Sequence, residues 1–236
     1  MQKRERRRKR GREEDSAEYR EGERQKRVSD WVPKTGIGKM VKAGEIANMD
    51  EFFAKGYKVM EPEIVDVLIP EIKDKLVEFR KTARVTRQGR SFSFRASVLI
   101  GDGDSYIGLG TAKDRERFPA INKATKSAKM ALRKVRKGCG SWECRCHEPH
   151  SVPFRVEGTS SSVRVNLLPA PKGTGLVIGE HVKDVLRFVG IKDVWSKCRG
   201  NTATTLDFVG ATINALAATN NVKYSADMER KLEEKR

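Results

Sequence analysis

The sequence predicts an α+β protein, with a β-β-β-α unit over residues 76–138, a β-β-α-β-α unit over 151–220 and a disordered basic arm ahead of both. Three observations carry that expectation. Residues Ser91–Gly101 alternate polar and apolar side chains with a period of two, as a half-buried strand requires. Stretches starting at Pro119 and Thr202 space apolar residues three and four apart, as an amphipathic helix requires. Turn signals built on Gly, Asp, Asn and Pro separate these runs. At 236 residues the chain is long enough to bury a real core, in one or two domains.

The elements are taken in chain order. Residues 1–29 hold eight basic residues in the first twelve and little that is apolar, so they predict the arm. Residues 30–75 read as a lead-in segment packed on the domain C-terminal to it. Within it, Asn48-Met49-Asp50-Glu51-Phe52-Phe53 starts one helix, Pro62 opens a second short one and Pro70 ends or restarts it. A first strand is expected over Leu76–Thr86, then a turn at Arg87-Gln88-Gly89-Arg90. In the second strand, Phe92, Phe94, Ala96, Val98 and Ile100 face one way, toward a helix. Ser91, Ser93, Arg95 and Ser97 face the other. Asp102-Gly103-Asp104 turns the chain into a third strand, Tyr106–Lys113, where Gly108 and Gly110 suggest a bend. Pro119 suits the first turn of a helix reaching about Val135, with Ala120, Ala124, Ala131 and Val135 on its apolar side.

Residues 139–150 form a Cys/His linker. A hairpin of Val152–Val156 and Val163–Leu168 is expected to turn at Gly158-Thr159-Ser160-Ser161. Next come a loop over Pro169–Gly175, a helix over Val177–Val189 closed by Gly190, and a strand over Ile191–Lys197. The last helix, Thr202–Thr219, places Leu206, Val209, Ile213 and Leu216 together. Residues 221–236 are a charged tail, and Cys198 is expected in the core.

The formal net charge is +17, and most of it sits in one block: residues 80–138 carry +12, whereas 31–79 carry −2. An excess focused in this way calls for a polyanionic partner rather than serving solubility alone. No run of 18 apolar residues exists and no apolar core follows the N-terminal charges, so neither a membrane span nor a secretory signal is expected. Four cysteines, three of them within eight positions, do not resemble a disulfide framework; a reducing cytosol is expected. The arm is then either a solvated tail or a segment that orders on RNA.

Within the basic block, the candidate RNA-binding residues are Arg84, Arg87, Gln88, Gly89, Arg90, Ser91 and Arg95 on the hairpin, and Lys123, Lys126, Lys129, Arg133 and Lys137 beyond it. Arginine offers forked donors for phosphate oxygens, and glycine lets the backbone approach them. Lys126, Lys129, Arg133 and Lys137 recur at helical spacing, with no acid between Glu116 and Gly138 to neutralise them. Phosphate would do so; the plainer reading is a solvated face. With the phenylalanines turned inward, readout is expected through shape and backbone rather than base stacking.

Enzyme signals are weak. Lys172-Gly173-Thr174-Gly175 lacks the spacing and ending of a nucleotide-binding loop, and no Ser-His-Asp set or carboxylate pair emerges. A free-standing RNA-binding regulator or chaperone, and a small-molecule kinase built on 151–220, are two of the readings to be weighed. The chemically richest segment is Cys139 to His150. Cys139, Cys144, Cys146 and His150 form a Cys₃His set suited to a closed structural Zn²⁺, with His147 in reserve. The spacing is not that of paired C-x-x-C knuckles, and a linker with small buried thiols is the alternative. No organic cofactor is expected.

Several blocks together resemble a known family. Gln88-Gly89-Arg90-Ser91-Phe92-Ser93-Phe94, Ile100-Gly101-Asp102-Gly103 and Gly108-Leu109-Gly110 are similar to the N-terminal domain of the universal small-subunit ribosomal protein conventionally numbered five. Pro169-Ala170-Pro171-Lys172-Gly173-Thr174-Gly175 and Ala203-Thr204-Thr205 are similar to its C-terminal domain, and Trp31-Val32-Pro33-Lys34-Thr35 looks like its archaeal and eukaryotic branch. The resemblance implies a first domain like a double-stranded-RNA-binding domain and a second with a fold shared by translocation factors and some small-molecule kinases. It further implies a structural, non-enzymatic role in the cytoplasmic small ribosomal subunit. The implied partners are small-subunit ribosomal RNA, the ribosomal proteins numbered four and eight, and messenger RNA near the channel through which it enters. A link to decoding accuracy is implied there as well.

Overall fold

A computed structural model describes residues 31–144, 146 and 148–221. The expected arm over 1–29 and all of the tail but Asn221 lie outside them. The described residues divide into two compact units, with the boundary after Pro70.

Among the described residues of the first unit, three short helices accompany a small core. Helix α1 (Gly36–Ala43) starts where the Thr35 hydroxyl accepts from the Gly38 amide and ends at Gly44, whose φ of 82° is left-handed. Helix α2 (Met49–Ala54) follows Asn48 with Asp50 and Glu51 in its first turn, and α3 (Pro62–Leu68) opens on its proline. Helices α2 and α3 stand where the sequence predicts them. Helix α1 was not expected, although its threonine cap and closing glycine are local signals. Trp31, Val41, Ile46, Phe52, Ile64 and Val65 fill the core.

The second unit holds two four-stranded sheets. Strands β1 (Lys73–Thr86), β2 (Gly89–Gly101), β3 (Tyr106–Asp114) and the short β4 (Arg133–Lys134) lie in that order, all antiparallel. Between β3 and β4 runs helix α4 (Arg117–Met130). The helix expected to reach Val135 therefore ends at Met130, and Arg133 belongs to a strand. Residues that were expected to share one helical face do not.

Gly108 and Gly110, expected to mark a bend, lie where β3 keeps continuous register with β2. They form a flat seat: a Cβ at Gly110 would lie 2.2 Å from the Ala128 nitrogen and 2.3 Å from the Ala124 oxygen. Helix α4 thus lies directly on the strand, glycine against alanine. The buried side of α4 is Ala120, Ala124, Ala128 and Lys129, while Ala131 caps the helix at the surface.

The second sheet runs β5 (Val156–Ser160), β6 (Val163–Pro169), β8 (Val194–Arg199), β7 (Leu176–Val177), with β7 parallel to β8. Helices α5 (Glu180–Val189) and α6 (Thr205–Ala218) complete the layer. The β5–β6 hairpin is displaced from its expected position. It turns at Ser161-Ser162, with Ser161 at a φ of 52°, and Gly158 lies inside β5. Gly158 repeats the glycine-on-alanine device, because a Cβ there would meet the Ala211 oxygen at 2.2 Å. Cys198, expected in the core, is exposed on β8.

One apolar cluster joins the two sheets. Leu99 and Ile107 of the first pack with Val165, Leu167, Leu186, Val209 and Leu216 of the second half. The inner parts of β2 and β3 are therefore covered on both faces. That is why Ala96 through Gly101 are all buried, in place of the alternation expected there.

Candidate functional site

Strand register creates the first candidate site. Strand β3 pairs with β2 only from Phe94 to Gly101, whereas β1 and β2 stay paired out to Thr86 and Gly89. The ribbon beyond Phe94 thus lacks a third strand. At its end Arg87 and Gln88 form the turn, and Gly89 takes a φ of 119°. Arg84, Arg87, Gln88, Gly89, Arg90 and Ser91 are all exposed. Among the described residues, Arg84, Arg87 and Arg90 form no ion pair with any carboxylate. Unpaired guanidinium groups on a narrow ribbon can enter a groove between phosphates.

The base of the ribbon is built differently. Phe79 and Phe94 stack at 5.5 Å with the Arg117 guanidinium over both rings, and the Lys81 ammonium lies 3.7 Å from the centre of the Phe92 ring. Phe92, expected to be turned inward, is half exposed with Lys81 over its ring. Arg95 donates to Glu78, which also binds Arg80 and accepts from Thr205 at the start of α6. Burial raises the Glu78 pKa, but Thr205, Arg80 and Arg95 outweigh it and hold the carboxyl below its usual range. Glu78, held by Arg95 and Arg80, thus ties the ribbon to α6 in the second half of the unit.

The remaining predicted cations scatter. Lys126 is exposed without an ion pair among the described residues, whereas Lys129 is only 5% exposed. Lys123 bonds Asp114 at 2.5 Å, Lys137 pairs with Asp104, and Arg133 donates to Asn214 of α6. Sequence reasoning misses another cationic surface, where Arg155, Arg164, Lys197 and Arg199 line a cavity of about 270 Å³ with Glu157 and Asn166. These residues come from distant segments, so a charge count along the chain dilutes them. Arg164 and Arg199 are cross-strand partners, a signal readable only once the register is known.

The second candidate site is the Cys/His linker. A bridge between Gly138 and Ser151 closes it, and Gly140 passes so close to Pro153 that a Cβ would lie 2.0 Å from its carbonyl oxygen. The turn after Ser141 carries Cys144 back toward Cys139. The ligand atoms of Cys139, Cys144, Cys146 and His150 all lie within 4.8 Å of one another. Cys144 Sγ is 3.0 Å from Cys146 Sγ and 3.6 Å from His150 Nε2, and Cys146 Sγ is 3.6 Å from Cys139 Sγ. Tetrahedral zinc–thiolate bonds would put sulfurs about 3.8 Å apart, so the 3.6 Å Cys139–Cys146 separation suits such an ion, whereas the 3.0 Å Cys144–Cys146 pair would open to admit it. His147, the reserve ligand, lies outside the described residues.

Electrostatics at this cluster are those of crowded thiols. Burial, with the neighbouring thiols, pushes Cys139 up to about 12, while its hydrogen bond with Cys146 brings Cys144 down to about 6. Thiolates this close repel one another, and a divalent cation among them would let all three ionise. The His150 ring is 5% exposed; its Nδ1 lies 2.9 Å from Asp193, which leaves Nε2 toward the thiols.

Known proteins share both halves of this architecture. The profile described as "Ribosomal protein S5, N-terminal domain" matches residues 72–136, covering the ribbon and α4, and "Ribosomal protein S5, C-terminal domain" matches 158–230. A Methanospirillum hungatei protein named "Small ribosomal subunit protein uS5" is 50% identical over 195 residues, 83% of this chain and 95% of its own length. The chain belongs to the uS5 family. The uS5 protein of Pyrobaculum calidifontis is 52% identical over 192 residues, 81% of this chain and 95% of that one. That of Staphylothermus marinus is 48% identical over 199 residues, 84% and 92% of the two chains. The two uS5 profiles thus fall on the two sheet-and-helix halves of the second unit.

Proposed function

We propose that this chain is a structural constituent of the cytoplasmic small ribosomal subunit. It binds small-subunit ribosomal RNA through the β1–β2 ribbon, and it is not an enzyme. One observation carries the reading: Arg84, Arg87 and Arg90 project from a two-stranded ribbon with no carboxylate partner among the described residues. An unneutralised cluster of this kind gains most beside a phosphate lattice. Recognition is through backbone and shape, because the aromatic side chains nearby are engaged by Lys81 and Arg117. Membership of a family whose relatives are named for the small subunit supports the same reading. Lys123, Lys126, Arg133 and Lys137 extend the contact at its margin. The chain neighbours ribosomal proteins four and eight, lies near the channel through which messenger RNA enters and supports decoding accuracy.

Cys139, Cys144, Cys146 and His150 hold a structural Zn²⁺ in this reading. The ion would supply cross-linking of the linker, with no open position for chemistry. Elemental analysis of purified protein is expected to give one zinc per chain.

The RNA reading is tested by Arg87→Glu with Arg90→Glu. Affinity for small-subunit rRNA is expected to fall, and the salt dependence to weaken by roughly one unit of slope for each phosphate the two side chains no longer neutralise. Unchanged affinity and slope would remove the ribbon from the interface. Cosedimentation with small subunits at high salt separates the ribosomal role from that of a free RNA-binding regulator, which would be washed off.

A further inference from the structure

The linker cluster has a carboxylate behind it that the ligand set does not use. Asp193 precedes β8 and is 4% exposed. Its Oδ2 lies 2.9 Å from His150 Nδ1, and its Oδ1 accepts from the amides of Gly173 at 3.1 Å and Gly175 at 2.8 Å. The backbone closes the same circuit, since the His150 carbonyl accepts from the amides of Lys192 and Asp193. Gly173 and Gly175 have φ values of 93° and 74°. The loop Pro171–Gly175 therefore has two left-handed glycines whose amides both point at one carboxylate oxygen.

We infer that Asp193 is a positioning residue of the metal centre, coupling zinc occupancy to the order of the Pro171–Gly175 loop. This rests on the zinc reading proposed above. A neutral imidazole carries one proton. Held on Nδ1 by a buried carboxylate, that proton leaves the Nε2 lone pair free, directed at the thiols. A cation on Nε2 makes the Nδ1–H a stronger donor, so His150 grips Asp193 more firmly. The other oxygen of that carboxylate is what the two glycine amides bind. By linkage, whatever the metal does to Asp193 the loop returns to the metal. Among the described residues two further contacts join linker and loop: the Lys172 backbone amide donates to the Cys144 thiol, and Lys172 pairs with Glu148, exposed on both sides and therefore worth little.

An isosteric change isolates this role. Asparagine can accept at only one end. If its oxygen faces the two amides, its NH₂ opposes His150 Nδ1–H; if it faces His150, the NH₂ opposes the amides. Asp193→Asn in the full chain is therefore expected to weaken Zn²⁺ binding by about 10–100-fold, measured by competition with a metallochromic chelator. The Co²⁺ form would show an altered d–d spectrum. In the unaltered chain, stripping Zn²⁺ should accelerate hydrogen exchange at Gly173 and Gly175 while leaving the β2 amides protected.

Normal zinc binding in the unaltered chain with equal affinity in D193N would overturn the positioning role. Equal exchange at Gly173 and Gly175 with and without zinc would overturn the coupling, even if the variant does not fold. Failure of the unaltered chain to bind zinc would overturn the metal reading itself, and this inference with it.

Discussion

At the scale of single residues, two buried carboxylates, Glu61 and Asp193, each act as a junction by accepting at both ends. Glu61 Oε2 accepts from the Trp31 indole at 2.8 Å, while Oε1 accepts from the amides of Lys34 and Thr35. Burial raises its pKa, but the donors from Thr35, Trp31 and Lys34 outweigh it and leave the group below its usual value. A depressed carboxylate contributes stability above the unfolded pKa and loses it as pH falls through the folded one. The first unit should therefore loosen on acidification below the ordinary glutamate range. Glu61→Gln should cost about 1–3 kcal/mol at neutral pH and flatten that acid response, both read from Trp31 fluorescence. An unchanged acid profile would show that Glu61 does not govern it. None of this was legible in the sequence, where Glu61 is one acid among many. Charge type is local, but what faces a carboxylate is decided by chain closure.

At the scale of elements, glycine on a strand against alanine on a helix recurs. Gly110 meets Ala124 and Ala128, and Gly158 meets Ala211 and Ala215. From sequence alone the first suggests a bend and the second part of a turn. The discrepancy has a physical cause: a glycine needed for close approach looks like one needed for a turn until the opposing element is known. Gly158→Ala and Gly110→Ala should each destabilise by about 1–3 kcal/mol or more, because backbone rather than a flexible side chain blocks the methyl. Gly36→Ala meets nothing within 4 Å and should be close to neutral. Thermal melting of the three variants ranks them; equal melting would refute the close-packing argument. The ribbon, by contrast, was legible, since a strand, a turn glycine and unopposed arginines are properties of contiguous residues. Its freedom from β3 was not.

Across the second unit, one apolar core serves both sheets. Leu186 is fully buried in it, together with Leu99 of the first sheet and Leu167 of the second. Leu186→Ala is expected to cost about 2–5 kcal/mol and to lower hydrogen-exchange protection in β2 and β6 alike. Loss confined to β6 would mean that the halves unfold separately. Among the described residues no helix is long and apolar enough to cross a membrane, in line with the polar, cationic surface.

The sequence by itself determined the alternation of strands and helices, the basic hairpin and the Cys₃His set, because each depends on residues near one another in the chain. It also held the blocks that resemble the family. Tertiary structure alone decided that α4 stops at Met130, that Arg95 is committed to Glu78, that Lys129 is buried, and that Arg155, Arg164, Lys197 and Arg199 meet around one cavity. The reason is the range of the forces involved. Periodicity and turn chemistry act over a few residues, whereas burial and charge pairing depend on which distant segment the packed chain brings alongside.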